Sequence, residues 1–181
     1  MRPLEVLANE HGLIRQALDS LSLAKEKLEA GERPKTEFFE KALEFARTFV
    51  LKYHHFKEEH VMFGLLAQRK NGAIDAQLES LRYQHERGRD FIGEIGKSLE
   101  GYGKGQEVQS SALLENLAAY VSLLRQHIHR EDHVFYPLVE RELTDGEMKE
   151  LAKAFEKEEA KFGQAVGDKA RKLVREMGAL L

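Results

Sequence analysis

A chain of 181 residues with a formal net charge of −3 and no cysteine is long enough to bury a core without cross-links. The missing thiols exclude disulfides, iron–sulfur clusters, thiolate zinc sites and thiol catalysis, and the charge balance argues against a nucleic-acid partner. No apolar run approaches the roughly 18–20 residues of a membrane span, and "MRPLEVLANEHG" meets charge too early for a secretory leader, so a soluble cytoplasmic protein with no membrane association is expected.

Pro3 suits the first turn of a helix, and Leu4, Leu7, Ala8, His11, Ile14, Leu18, Leu21 and Leu28 then hold helical spacing up to Gly31. A second helix starts at Thr36, carries Phe39, Leu43, Ala46, Phe49, Val50 and Tyr53 toward His54, and is expected to end at Asn71-Gly72. The third runs from Ile74 to about Leu99, before "GYGKG", and the fourth from about Ser110 to Leu143. Thr144 and Glu147 form a capping box that opens a fifth helix, with Met148, Leu151, Phe155, Phe162, Val166, Leu173 and Met177 as its apolar residues. No stretch alternates with period two. The predicted fold class is all-α: an up-down-up-down four-helix bundle over residues 1–143. An additional C-terminal amphipathic helix, 144–181, docks back on the bundle or forms a homodimer seam.

Two near-copies of one phrase dominate the pattern: "HHFKEEHVMF" from His54 to Phe63 and "HIHREDHVFY" from His127 to Tyr136. Aligning His54 with His127 also aligns Glu58 with Glu131, His60 with His133, and Gly64 with Pro137. The helix before each copy holds a histidine followed one turn later by arginine, His11 with Arg15 and His85 with Arg89. Residues at i and i+4 share a helix face, so each copy offers an imidazole and a carboxylate to the bundle interior. Four histidines and two glutamates at the centre call for a pair of metal ions, because an inward carboxylate is costly unless something positive offsets it. Nitrogen and oxygen donors without thiolate suit iron, manganese or zinc. Several positions stay open. His55 with Glu59 has the same spacing as His54 with Glu58, but the repeat decides for His54 and Glu58 because Ile128 matches His55; Asp132 competes with Glu131, and His60, His129 and His133 read as surface or outer residues on a regular helix. Tyr53, Phe56 and Phe135 are either pocket walls or plain core.

The lone histidine in "NEHGLIR", together with "HHFKEEHVMF", "QHERGRDF" and "HIHREDHVFYP", resembles the hemerythrin-like (HHE cation-binding) family over about residues 1–143. The resemblance implies a four-helix bundle around a non-heme di-iron centre with His11, His54, Glu58, His85, His127 and Glu131 as metal ligands. Two iron ions are the implied cofactor, with manganese or zinc as substitutes. A small diatomic or peroxide ligand (oxygen, nitric oxide or peroxide) is the implied partner. The oxygen carriers of this family place a second histidine one turn after the first on the third helix, where this chain has Arg89; Asp132 keeps their spacing from His127. An iron-sensing or storage module is the alternative function, and a metal-free interaction bundle the third.

Overall fold

The computed structural model describes residues 2–69, 72, 74–163 and 165–181, and every regular element among them is helical. Helix α1 spans Pro3–Glu29, with the proline in its first turn and Glu5 accepting a 3.0 Å hydrogen bond from the Arg2 amide. Helix α2 is one rod over residues 36–69 whose winding changes along its length. It is α-helical over Thr36–Phe45, π-helical over Ala46–His54 and Lys57–Met62, and α-helical again over Phe63–Arg69. Helix α3 spans Asp75–Gly103, about one turn longer than the sequence suggests. Helix α4, residues 107–142, repeats the device of α2, with a π segment at Glu131–Phe135 between Glu107–Arg130 and Tyr136–Glu142.

In a π turn each amide reaches five residues back, so the turn is wider and takes in one more residue. Gly64 lies just past the π segment of α2 that ends at Met62, and Pro137 just past the one that ends at Phe135. A poor helix former beyond each wide turn weakens the regular ladder where the winding changes.

The capping box forms as expected. Thr144 Oγ1 accepts from the Glu147 amide at 3.3 Å, and Glu147 Oε2 accepts from the Thr144 amide at 2.7 Å. The C-terminal segment is two helices rather than one: α5, Asp145–Phe162, and α6, Ala165–Ala179. Gly163 separates them at φ 77°, a conformation that residues with a side chain rarely adopt. The expected stop of α2 at Asn71 lies outside the described residues.

Helix α4 packs along both α1 and α3; α6 lies across α1 and the start of α2, and α5 crosses the second π segment of α2. Buried apolar side chains form two clusters. One gathers Ile14, Val50, Ile92 and Leu124 and takes Leu173 and Met177 from α6. The other gathers Leu7, Met62, Leu81 and Phe135 and takes Leu151 and Phe155 from α5. Along each rod the change from one cluster to the other falls at or just past a histidine: His11, His54, His85 and His127. A polar layer is thus clamped between two dry ones. None of the helices, among the described residues, is long and apolar enough to cross a membrane.

Candidate metal centre

All six side chains singled out from the sequence meet in that layer, each at most 1% exposed. Their outer partners fix how the imidazoles are protonated. The Nδ1–H groups of His11 and His54 donate to Asp132 Oδ1 and Glu10 Oε2, both at 2.7 Å. Those of His85 and His127 donate to Glu59 Oε1 at 2.6 Å and Gln84 Oε1 at 2.8 Å. An acceptor on Nδ1 leaves Nε2 as the basic position, so all four Nε2 atoms point inward, open to a metal ion or a proton. The acceptors are held in turn: Arg15 pairs with Asp132, Arg89 with Glu59 at 2.7 Å, and Lys57 with Glu10.

The inward nitrogens stand in two pairs, His11 with His54 and His85 with His127, each 3.0 Å apart. Two nitrogens at right angles on one ion with bonds of about 2.1 Å are about 3.0 Å apart, so each pair has the edge of a coordination sphere. Each glutamate reaches one imidazole of each pair. Glu58 Oε2 is 3.4 Å from His85 Nε2 and 3.7 Å from His54 Nε2; Glu131 Oε2 is 3.2 Å from both His11 and His127. Glu58 Oε2 and both Glu131 oxygens are buried without a hydrogen-bond partner. Such atoms are costly unless a cation meets them. Ligand atoms of His11, His54, Glu58 and Glu131 lie within 4.8 Å of one another, as do those of His55, Glu58, His85 and His127. Glu58 belongs to both groups. The donor set therefore fits a dinuclear nitrogen–oxygen centre.

Protons take the cations' part when no cation is present. Burial lowers the His11 pKa, but Asp132 and Glu131 outweigh it and push it up to about 9. His85 also reaches about 9, with Glu58 and Glu59 overcoming burial. Burial and the neighbouring Glu58 raise Glu131, while the surrounding histidines outweigh burial at Glu58 and hold it well below the usual carboxylate range. Burial keeps His54, His55 and His127 neutral.

The hemerythrin HHE cation binding domain matches residues 2–139 and, in a second overlapping match, residues 102–180. The chain belongs to the hemerythrin HHE family. Among curated relatives it is 27% identical over 179 residues to the uncharacterized proteins Rv1995 of Mycobacterium tuberculosis (strain H37Rv) and Mb2018 of Mycobacterium bovis. Each alignment covers 96% of this chain and 69% of the relative. No solved structure matches it.

This hemerythrin-like centre also contains groups that the sequence pattern did not reveal. Asp132, a rival to Glu131 in the sequence, turns outward to His11 Nδ1 and Arg15. Arg89, in place of a second third-helix histidine, holds the Glu59 that holds His85. His55 is buried at 2% exposure, because the wide π turns bring it in beside His54. Tyr136 donates from its hydroxyl to Glu58 Oε1 at 2.6 Å and lies 3.4 Å from His11 Nε2. Lys57 is fully buried, with its ammonium on Glu10, on Glu159 of α5 at 2.9 Å, and 4.1 Å from the Tyr53 ring centroid. His60, His129 and His133 are exposed, as expected. Phe135 packs edge-on to Phe63 in the core, whereas Tyr53 is half-buried and packs against Phe49 and the exposed Phe162 beside a surface groove.

Proposed function

We propose that this hemerythrin-like protein is a non-heme di-iron protein that binds or reacts with a small ligand: oxygen, nitric oxide or peroxide. The observation that carries the reading is the facing of four Nε2 lone pairs as two 3.0 Å pairs around the partnerless oxygens of Glu58 and Glu131. Lone pairs so placed repel unless a proton or a metal cation is shared between them, and a metal ion on each pair would also meet the glutamate oxygens. In this reading His11, His54, His85 and His127 would each hold one ion through Nε2, and Glu58 and Glu131 would be carboxylates shared between the two. A bound iron pair supplies a redox-active Lewis acid with positions open to a small ligand. The chain supplies the rest. Asp132, Glu10, Glu59 and Gln84 orient the imidazoles, and the two apolar clusters exclude water. A reducing cytoplasmic setting suits a chain without cysteine.

The iron-sensing alternative draws support from one contact. Lys57 ties Glu10, and through it His54, to Glu159 on α5, so two ion pairs and one hydrogen bond link the C-terminal segment to a ligand. The deciding measurement is metal content and visible spectrum after iron-supplemented expression, beside His54→Ala/His127→Ala. About two irons per chain, with oxo-bridged charge-transfer bands absent from the variant, supports the di-iron reading. Equal loading with manganese or zinc and no reaction with oxygen, peroxide or nitric oxide turns it toward occupancy sensing. A wild type that takes up no metal and melts like the variant refutes both.

A further inference from the structure

His55 differs from every other imidazole in the layer. His11, His54, His85 and His127 each have Nδ1 fixed by an acceptor and Nε2 aimed at a neighbouring Nε2. His55 is 2% exposed, and neither of its ring nitrogens has a hydrogen-bond partner. Histidines that ligate metals almost always donate the other ring N–H to an orienting group, and His55 has none. Its ring lies flat on His85, centroids 3.7 Å apart and planes within 12°. An imidazole binds an ion through a lone pair in its own plane, so two parallel stacked rings cannot both aim at one ion. His85 already has its nitrogen 3.0 Å from that of His127, so His55 is the ring left off the metal.

A buried donor and acceptor with no partner is costly, and that cost falls away when a guest supplies the missing bond. The ligating atoms of Glu58, His85 and His127 lie within 4.8 Å of a His55 nitrogen, so a guest on that half of the centre comes within its reach. We infer that His55 is not a metal ligand but the group that hydrogen-bonds the small exogenous ligand on the His85–His127 side of the centre. This rests on the dinuclear reading above. A free imidazole at this place favours retention of a ligand with a hydrogen-bond acceptor.

Azide is a suitable probe, tested on the iron-loaded protein as wild type, His55→Phe and His55→Gln. Phenylalanine keeps a flat ring on His85, and glutamine keeps a donor. All three should hold two irons. Azide should bind roughly tenfold more weakly to His55→Phe, the loss of one hydrogen bond to an anion, with partial recovery in His55→Gln. The azide stretch should shift between H2O and D2O in wild type and not in His55→Phe. Loss of an iron from a folded His55→Phe would make His55 a ligand and overturn the inference. So would unchanged azide affinity with two irons in place. Should the phenylalanine variant fail to fold, absence of the isotope shift in wild type overturns it alone. A wild type that takes up fewer than two irons brings down the dinuclear reading as well, so the two failures are distinguishable.

Discussion

Replacing Lys57 by methionine tests how the centre is braced. The ammonium is fully buried and sits between Glu10, whose side chain is 10% exposed, and Glu159, 30% exposed. Methionine keeps most of the stem's volume and removes the charge. Glu159 can turn to water, so its loss counts for little. Glu10 is less exposed, and it keeps the His54 Nδ1–H bond at 2.7 Å. Removing one partner of a buried ion pair costs roughly 3–5 kcal/mol, and the partial exposure of Glu159 places this case near ~3 kcal/mol. For a chain of this size each kcal/mol moves the melting point by about 2–4 °C, so a fall of about 6–12 °C is expected. Calorimetry of the metal-stripped protein reads it directly. Adding Glu10→Gln should restore part of the loss, because the amide oxygen still accepts from His54 and no buried charge is left alone. A single variant that melts within about 0.5 kcal/mol of wild type, or a double variant worse than the sum of its parts, would refute the account.

Glu58 belongs to both donor groups and His11 to one, so Glu58→Gln should lower the affinity for both ions while His11→Ala costs mainly one. Metal titration followed by mass spectrometry of the intact chain separates the two, and equal losses would sink the shared-bridge geometry. The metal-stripped protein should lose stability as pH rises from about 6.5 through 9, because His11 and His85, raised to about 9, give up protons that the folded state holds more tightly than the unfolded. Glu131, raised as well, acts in the same direction. Iron loading displaces those protons, so affinity should climb over the same interval, with proton release visible by calorimetry in buffers of different ionisation heat; a flat profile would refute the proton inventory. Tyr136→Phe removes the 2.6 Å hydroxyl donor to Glu58 Oε1 and should cost about 1.5–3 kcal/mol in the metal-stripped state, with a shift of the charge-transfer bands after loading. Unchanged bands would show that the hydroxyl does not act on that carboxylate.

The all-α bundle was legible because its apolar spacing, breakers and capping box act locally. The six inward residues were legible because an internal repeat marked them twice. What failed was the assumption of one winding. A regular 3.6-residue turn sends His55 away from the face that carries His54, whereas the wide turns of α2 admit both. Gly64 and Pro137 were visible as a matched pair of poor helix formers, and they were the available sign of that change. Lys57 left no such sign. A charge reads as surface until Glu159, 102 residues away, is seen to meet it. The roles of Arg15 and Arg89 were hidden for the same reason, since each clamps a carboxylate on another rod. Gly163 was passed over inside an otherwise periodic segment because its effect depends on its φ, which composition does not give.

The burial of every donor has a kinetic side. With His11, His54, His85, His127, Glu58 and Glu131 all at most 1% exposed and dry clusters above and below, an ion cannot leave by stepping from one ligand to water. It must wait for rods to part, an opening event with its own rate. Removal by an external chelator should therefore reach a ceiling as chelator concentration rises, set by that opening and not by affinity. A protein built this way keeps its cargo through transient scarcity because the exit is slow, even where equilibrium would favour release.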